Sequence, residues 1–457
     1  MPDAKPLTIF FSVGEPSGDL HGANLIRQLQ SRCPGLRAVG YGGPKMAEAG
    51  CQLHTDLTAL AVMWIARVLV NLHKFWGLVS RADRYFRHHR PDAVVLIDYP
   101  GFNWWIARRA KAHGIPVFYY CPPQIWAWAR WRVNKMRRFV DHVLCSLPFE
   151  ESWFRQHGCN ATFVGHPFFD EVRRYPYDEQ FIAQHQPGKG DSPHLPERPS
   201  GCCAQMGTVP FSGSGPLVVI LPGSRTQEVT HNLKWFLKAA ALIHEKVPNV
   251  RFALAAFKPH QAEIARRMIA QQTRPDVAEG TQPDAASTGP IEICVGKTPE
   301  LMRLADCAMS VSGSVSLELL YHTTPTVVLY WVNRFGYFIQ GFFRKVKYIT
   351  LVNLLANGGL EEGSGFRVQD SVLFPEYLTC EDKSAQIAGH VIEWLSDPAK
   401  RAARVEALAR LKEKVAHGGA SSRAAEYILA ALAQRPKCIP RPHFTPIAID
   451  SRCGVGR

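Results

Sequence analysis

Short, almost uninterrupted apolar runs alternate with amphipathic stretches through most of this chain, and nothing else constrains its fold as strongly. Leu7–Val13 is followed by a turn and a helical pattern over Asp19–Gln30, and further apolar runs come at Ala38–Tyr41, Ala93–Ile97, Val117–Tyr120, Val143–Leu147 and Ala161–Val164. Such runs suit strands buried on both faces of a parallel sheet, and the helices between them supply the crossovers. The pattern breaks at 184–216, a stretch rich in Pro, Gly, Ser and Gln with no periodicity, and resumes at Leu217–Leu221, Val250–Ala256, Ile291–Val295, Cys307–Val311 and Thr326–Tyr330. The expected architecture is therefore α/β: two Rossmann-like, doubly wound domains over 1–183 and 217–434, joined by a flexible insertion. A second polar break, Gln271–Pro290, is expected to be an enlarged surface loop. Ala385–Val415 and Ser421–Ala433 are expected as closing helices, and 435–457 as a disordered tail. Two such sheets in tandem leave a cleft between their carboxyl ends, where ligands bind.

Composition narrows the partners. The 457 residues are 46% hydrophobic, enough for real cores, and Lys+Arg 53 against Asp+Glu 39 leave a net charge of +14. That surplus favours anionic partners, whether phosphorylated ligands, nucleic acid or a membrane face. With only 20% charged residues and no basic run resembling a nucleic-acid arm, a nucleic-acid partner is not expected. The longest apolar stretch, Ala59–Leu72, is broken by Arg67 and shorter than the roughly 20 residues of a membrane span, so a cytoplasmic protein without a transmembrane helix is expected. The 12 cysteines are scattered, the only close pair being adjacent Cys202 and Cys203, which suits reduced thiols.

The turns after the strands carry the chemistry. The first strand runs into Gly14-Glu15-Pro16-Ser17-Gly18-Asp19-Leu20-His21, which sets a carboxylate, a hydroxyl and an imidazole near the mouth of a sheet, with Asp19 as the candidate helix cap. It is neither a Walker A loop nor a G-x-G-x-x-G fingerprint, and a simple well-capped turn is an equal reading. Ala93–Ile97 ends in Asp98-Tyr99-Pro100-Gly101-Phe102-Asn103, placing Asp98 either as a general base in the crevice or as a cap of the next turn. In the second half, Gly223-Ser224-Arg225 opens a helix whose backbone N–H groups, with the arginine, suit a diphosphate. Ser312-Gly313-Ser314 opens another helix, with Glu318 one turn inside as a candidate for a ribose diol. There is no D-x-D pair and no His/Asp/Glu cluster at metal spacing, so neither a metal-held diphosphate nor any other cofactor is expected. His21 and His166 stand isolated in the sequence and read most simply as hydrogen-bonded structural histidines.

Jointly, GEPSGDLHGANL (14–25), GYGGPKM (40–46), IDYPGFN (97–103), PPQIWAW (122–128), LPFE (147–150), FVGHP (163–167), LPGSR (221–225), VSGSVSLE (311–318) and YITLVNLL (348–355) resemble the lipid-A-disaccharide synthase family, inverting glycosyltransferases of the GT-B fold. The resemblance covers roughly Thr8–Gln434 apart from the two polar breaks. It implies transfer of a sugar from UDP-2,3-diacylglucosamine to the 6-hydroxyl of 2,3-diacylglucosamine 1-phosphate, releasing UDP, at the cytoplasmic face of the inner membrane; a homodimer stays open. It further implies Asp98 as base with Glu15 as the alternative or supporting carboxylate. Gly223, Ser224, Arg225, Ser312, Gly313, Ser314, Glu318 and Asn353 would then serve the donor, and Ser17, Asp19, His21, Asn103 and Trp126 the acceptor side. Trp126–Arg138 and Trp331–Lys347 interleave aromatics with cations and suit an anionic membrane surface. The chain departs from the family pattern at Trp64, Arg67, Gly101 and Val352. Another UDP-sugar GT-B enzyme, or a non-catalytic relative binding lipid or nucleotide, is the competing reading.

Overall fold

The structure is a computed structural model that describes residues 6–61, 72–185, 215–272, 289–334, 347–357 and 372–434. Most of the 184–216 insertion and the 271–290 break, all of the tail, Trp64, Arg67 and much of Trp331–Lys347 lie outside these residues.

Among the described residues, thirteen strands form two sheets. In the first, β1 (Thr8–Val13), β2 (Arg37–Gly42), β3 (Gln52–Asp56), β4 (Ala93–Ile97), β5 (Val117–Tyr120), β6 (His142–Cys145) and β7 (Ala161–Phe163) lie in the order β3-β2-β1-β4-β5-β6-β7. In the second, β8 (Leu217–Leu221), β9 (Arg251–Ala256), β10 (Ile291–Val295), β11 (Cys307–Val311), β12 (Thr326–Trp331) and β13 (Glu376–Thr379) lie in the order β10-β9-β8-β11-β12-β13. Every pairing is parallel. The expected α/β, doubly wound architecture is what the chain adopts. The inner strands explain why: all five residues of β4 and of β8 are buried, and each large aliphatic side chain removed from water contributes about 1.5–3 kcal/mol.

The order of each sheet reverses once, between β1 and β4 and between β8 and β11. Loops leaving two adjacent strands there run to opposite faces, which opens a crevice. Val13 pairs with Ile97, so the 14–18 and 98–103 turns leave neighbouring strand ends. Leu221 pairs with Ser310, which does the same for the 222–225 and 312–314 turns. All four turns singled out in the sequence are thus switch-point loops.

The expected elements differ from the structure in instructive places. β3 and β13 escape notice because QLHTD and EYLT are polar, half-buried edge strands. The closing segment 385–415 is two helices, Ser384–Ser396 and Pro398–Val415. Asp397 caps the second by accepting from the N–H groups of Ala399 (3.0 Å) and Lys400 (3.1 Å), and the proline at its first position cannot continue the first. The final helix, Ala420–Ala433, packs on the first domain rather than the second: Ala424, Ala425 and Ile428 join the core around Ile9, Phe11 and Ile26. Asp170, beside the GHP turn, accepts from the N–H groups of Gly419, Ala420 (3.3 Å) and Ser421 (3.0 Å) and so pins that helix's start. Conversely, Phe181 of the Glu179–His185 helix packs in the second core, so the chain crosses forward near 175–178 and back near 416–419. The Leu351–Ala356 helix bridges both bodies, burying Leu354 in the first core and Val352 in the second. The eight described cysteines are all unpaired.

Candidate active site

The switch-point loops of the two sheets face each other across one cavity of about 610 Å³. Its first-domain wall includes Ser17, His21, Asp98, Trp126, His166 and Glu171. Its second-domain wall includes Arg225, Glu228, Ser312, Gly313 and Ser314. Of the residues expected to act, Ser17, His21, Asp98, Trp126, Arg225, Ser312, Gly313 and Ser314 are brought together here.

Asp98 is held by unusual backbone geometry. It and Tyr99 both have positive φ (48° and 43°) at the end of β4, a conformation that strains non-glycine residues by about 1–3 kcal/mol each. The surroundings fix it: the Asp98 carbonyl accepts from Asn103 Nδ2 at 2.8 Å and from the Tyr119 hydroxyl at 2.6 Å. Gly18 lets the helix Pro16–Arg32 approach closely, since a Cβ there would lie 3.3 Å from Asp98 Oδ2 and 2.9 Å from Val13. Burial, reinforced by the negative charge of nearby Glu15, raises the Asp98 carboxyl to about 7. A carboxylate so placed is poised to take a proton near neutral pH. Glu15 is not itself in the wall.

Two buried, neutral imidazoles share the cavity wall with Asp98. Burial lowers His21 to about 4 and His166 to about 3, and their rings meet edge to face with centroids 6.4 Å apart. They are neighbours in space, not the isolated pair their sequence positions suggest. His166 Nδ1 accepts from the Phe168 N–H at 3.2 Å, while His21 Nδ1 has no partner among the described residues. Trp126 is fully buried and donates Nε1–H to Glu150 at 3.0 Å; Glu150 also accepts from the N–H groups of Ser146 and Leu147, both at 3.0 Å. Even with these donors, desolvation raises Glu150 to about 7.

Several expectations are corrected. Asp19 is not the cap of the first helix, Pro16–Arg32, whose cap position is Glu15; it lies inside that helix and accepts from the N–H groups of Gly43 (2.9 Å), Lys45 (3.0 Å) and Met46 (3.1 Å), capping the short helix after β2. Asn103 does not face the acceptor side. It is fully buried, and besides Asp98 its Nδ2 donates to the carbonyls of Ser12 and Ile97 (both 3.2 Å), while its Oδ1 accepts from Ser12 Oγ (2.7 Å). This bracket joins the ends of β1 and β4. Asn353 does not line the donor side either: it is fully buried, donating to the Phe374 carbonyl (2.7 Å) and Glu376 (2.9 Å) and accepting from the Phe374 N–H (3.0 Å). Glu318 is not part of the cavity wall; burial and Glu300 raise its carboxyl to about 7, and Tyr175 and Tyr177 are its electrostatic neighbours. Gly223 and Ser224 back the loop that presents Arg225 rather than lining the cavity.

The expected clamp of backbone N–H groups at 224–225 is also revised. Both are taken by Glu228, whose Oε2 accepts from Ser224 (3.0 Å) and Arg225 (3.2 Å). The Arg225 guanidinium, 74% exposed, is the one Lys or Arg in the cavity wall among the described residues. An anion entering here meets it first. Glu171, Glu228, Gln124, Tyr330 and Tyr348 also line the cavity and carry no turn or glycine signal in the sequence. The described residues contain no group of three or more His, Cys, Asp or Glu that could hold a metal, and no described helix is long and apolar enough to cross a membrane.

Comparison with known proteins agrees with this architecture. The family model described as lipid-A-disaccharide synthetase matches residues 9–188 and 209–414. The chain is 32% identical over 417 residues to the lipid-A-disaccharide synthase of Syntrophus aciditrophicus, spanning 91% of this chain and 96% of that one. It is 31% identical over 430 residues to that of Trichlorobacter lovleyi, spanning 94% and 99%. Among solved structures, the UDP-GlcNAc 2-epimerase of Neisseria meningitidis bound to UDP-GlcNAc superposes with a TM-score of 0.55 at 13% identity, over 93% of this chain and all (100%) of that one. A UDP co-structure of S. aureus MnaA gives 0.57 at 10% identity, covering 94% and 99%. At such identities the likeness is one of fold.

Proposed function

The chain belongs to the lipid-A-disaccharide synthetase family, and from that premise we propose how its cleft joins two acylated sugars. The donor is UDP-2,3-diacylglucosamine and the acceptor 2,3-diacylglucosamine 1-phosphate. Asp98 takes the proton of the acceptor's 6-hydroxyl as the oxygen attacks the donor's anomeric carbon from the face opposite the diphosphate. The bond to the diphosphate breaks, UDP leaves with the bonding pair, and the new linkage is inverted. Arg225 offsets the charge gathering on the departing diphosphate, and the Ser312–Ser314 turn, exposed at Gly313 and Ser314, shapes the donor side. Burial holds Asp98 at a proton affinity suited to neutral pH, with Glu15 adding to it, and His21 and His166, uncharged, serve as hydrogen-bonding groups for sugar hydroxyls.

The observation that carries this reading is the facing placement of Asp98 and Arg225 in one cavity, each on the switch point of its own sheet. Apolar residues in the same wall, including Leu20, Phe168, Ile349, Leu351, Leu354 and Leu378, favour fatty chains beside the sugars. The reading extends to an anionic membrane surface. Trp76 and Trp105, 42% and 39% exposed with ring centroids 4.7 Å apart, and Trp131, 59% exposed in a cation-rich segment, support that contact. The test is a product assay with both substrates dispersed in detergent. Disaccharide and UDP are expected in equal amounts; no product at high enzyme, with both sugars bound, would leave a binding protein instead.

A further inference from the structure

Arg225 stands at the start of the helix Thr226–Lys246 on a three-residue loop that is tied from two sides. From one side, Glu228 Oε2 takes the N–H groups of Ser224 and Arg225, and Glu228 Oε1 lies 3.5 Å from Arg225 Nη1. From the other, buried Gln261 donates Nε2–H to the Ser224 carbonyl at 2.7 Å and accepts from the Lys258 N–H at 3.0 Å. Gly223 closes the arrangement. It has φ +117°, and a Cβ there would lie 2.5 Å from both the Cβ and Oε2 of Glu228, so the loop is folded directly onto this side chain. Glu228 is itself only 19% exposed and stays close to its own helix, whose Asn232 Nδ2 donates to the Glu228 carbonyl at 2.8 Å.

Resting on the reading of Arg225 as the diphosphate contact, we propose that Glu228 is the positioning residue of the donor site: it fixes the 223–225 loop so that the nucleoside diphosphate is gripped by the Arg225 guanidinium and not by the loop's backbone amides. A carboxylate already on those amides excludes the usual anion nest at a helix start. An ion pair to a guanidinium this exposed adds little by itself, so the effect of Glu228 runs through loop geometry. A rigid base matters here because a long, exposed arginine otherwise loses rotamer freedom on binding.

The experiment is a calorimetric titration of UDP into the wild type and Glu228→Ala, Glu228→Gln, Arg225→Ala and Glu228→Ala/Arg225→Ala variants, with donor and acceptor KM measured alongside. Glu228→Ala is expected to weaken UDP binding and raise donor KM about 10-fold, with acceptor KM unchanged. Glu228→Gln, whose amide oxygen still accepts from both N–H groups, is expected within about 3-fold of wild type. The double variant is expected to be no weaker than Arg225→Ala, because one residue acts through the other. UDP binding as tight as wild type or tighter in Glu228→Ala would make Glu228 an occupant that the diphosphate displaces, and would overturn the proposal; so would additive losses in the double variant. Unchanged UDP binding in Arg225→Ala alone would instead overturn the donor-site reading beneath it. If Glu228→Ala lowers Tm too far to titrate, Glu228→Asp, which withdraws the oxygens by one methylene, takes its place with the same expectations.

Discussion

The two walls of the cleft are built from the same topological feature and do opposite things with it. In the first domain, the strand end at Asp98 is strained, desolvated and bracketed by hydrogen bonds from buried Asn103 and Tyr119, and the imidazoles of the same wall are held neutral. In the second, the strand ends carry exposed glycine and serine and a solvent-facing arginine, and their strain is confined to a glycine. One wall alters proton affinity, which is what a base needs. The other leaves a permanent cation accessible to a charged ligand. A crevice at a switch point supplies a place; burial decides whether it does chemistry or binding.

The sharpest way to break this contrast is to neutralise each wall in turn. Asp98→Asn is expected to lower kcat by roughly 10²-fold or more while the UDP dissociation constant, read by calorimetry, barely moves. Arg225→Ala is expected to do the reverse, weakening UDP by about 10-fold or more, on the order of the 1.5–3 kcal/mol of a charge-assisted contact. Swapped outcomes would exchange the roles of the two walls. A smaller effect is expected from Asn103→Ala, which deletes the bracket under Asp98: about 2–4 kcal/mol lost in chemical denaturation, from several buried hydrogen bonds at about 1 kcal/mol each. Its kcat should fall too, since the strained backbone of Asp98 is released; full activity with lost stability would separate the bracket from catalysis.

The smallest effect concerns stability and pH. Asp98 is raised from 3.8 to about 7 on folding, so the folded chain holds that proton where the unfolded chain has lost it. Stability therefore declines as pH rises from about 4 to about 7, and the loss is complete above. Asp98→Asn carries no such titration. Its Tm is expected to equal that of wild type near pH 4 and to exceed it by a few degrees, roughly 2–6 °C, at pH 8. Glu150 and Glu318, also raised to about 7, are present in both proteins and cancel in the difference. An equal Tm at both pH values would mean that Asp98 is better solvated than its place in the cavity implies.

The sequence carried the fold because its inner strands are buried on both faces and so read as apolar runs; the edge strands β3 and β13, half wet, did not. All four switch-point turns were legible, since glycine and proline mark them. What those turns do with each polar residue was less so. Asp19, Asn103 and Asn353 look like site residues because they are polar within specific motifs, yet all three are consumed by backbone groups distant in sequence. Glu228 and Glu171 lie on ordinary helical stretches and reach the cavity only through tertiary placement. The pairing of His21 with His166 joins the first crossover to the turn after β7, which spacing along the chain does not encode.

Whether a desolvated Asp98 is the base is read from the pH dependence of kcat/KM for the acceptor. A base works only when ionised, so the wild-type rate is expected to rise about tenfold per pH unit up to an apparent pKa near 7, where Asp98 titrates, and to level above it. In Asp98→Asn, the residual rate should lose that limb. A wild-type limb near pH 4, the range of a solvated carboxylate, or a limb near 7 that survives in Asp98→Asn, would mean that a desolvated Asp98 is not the base.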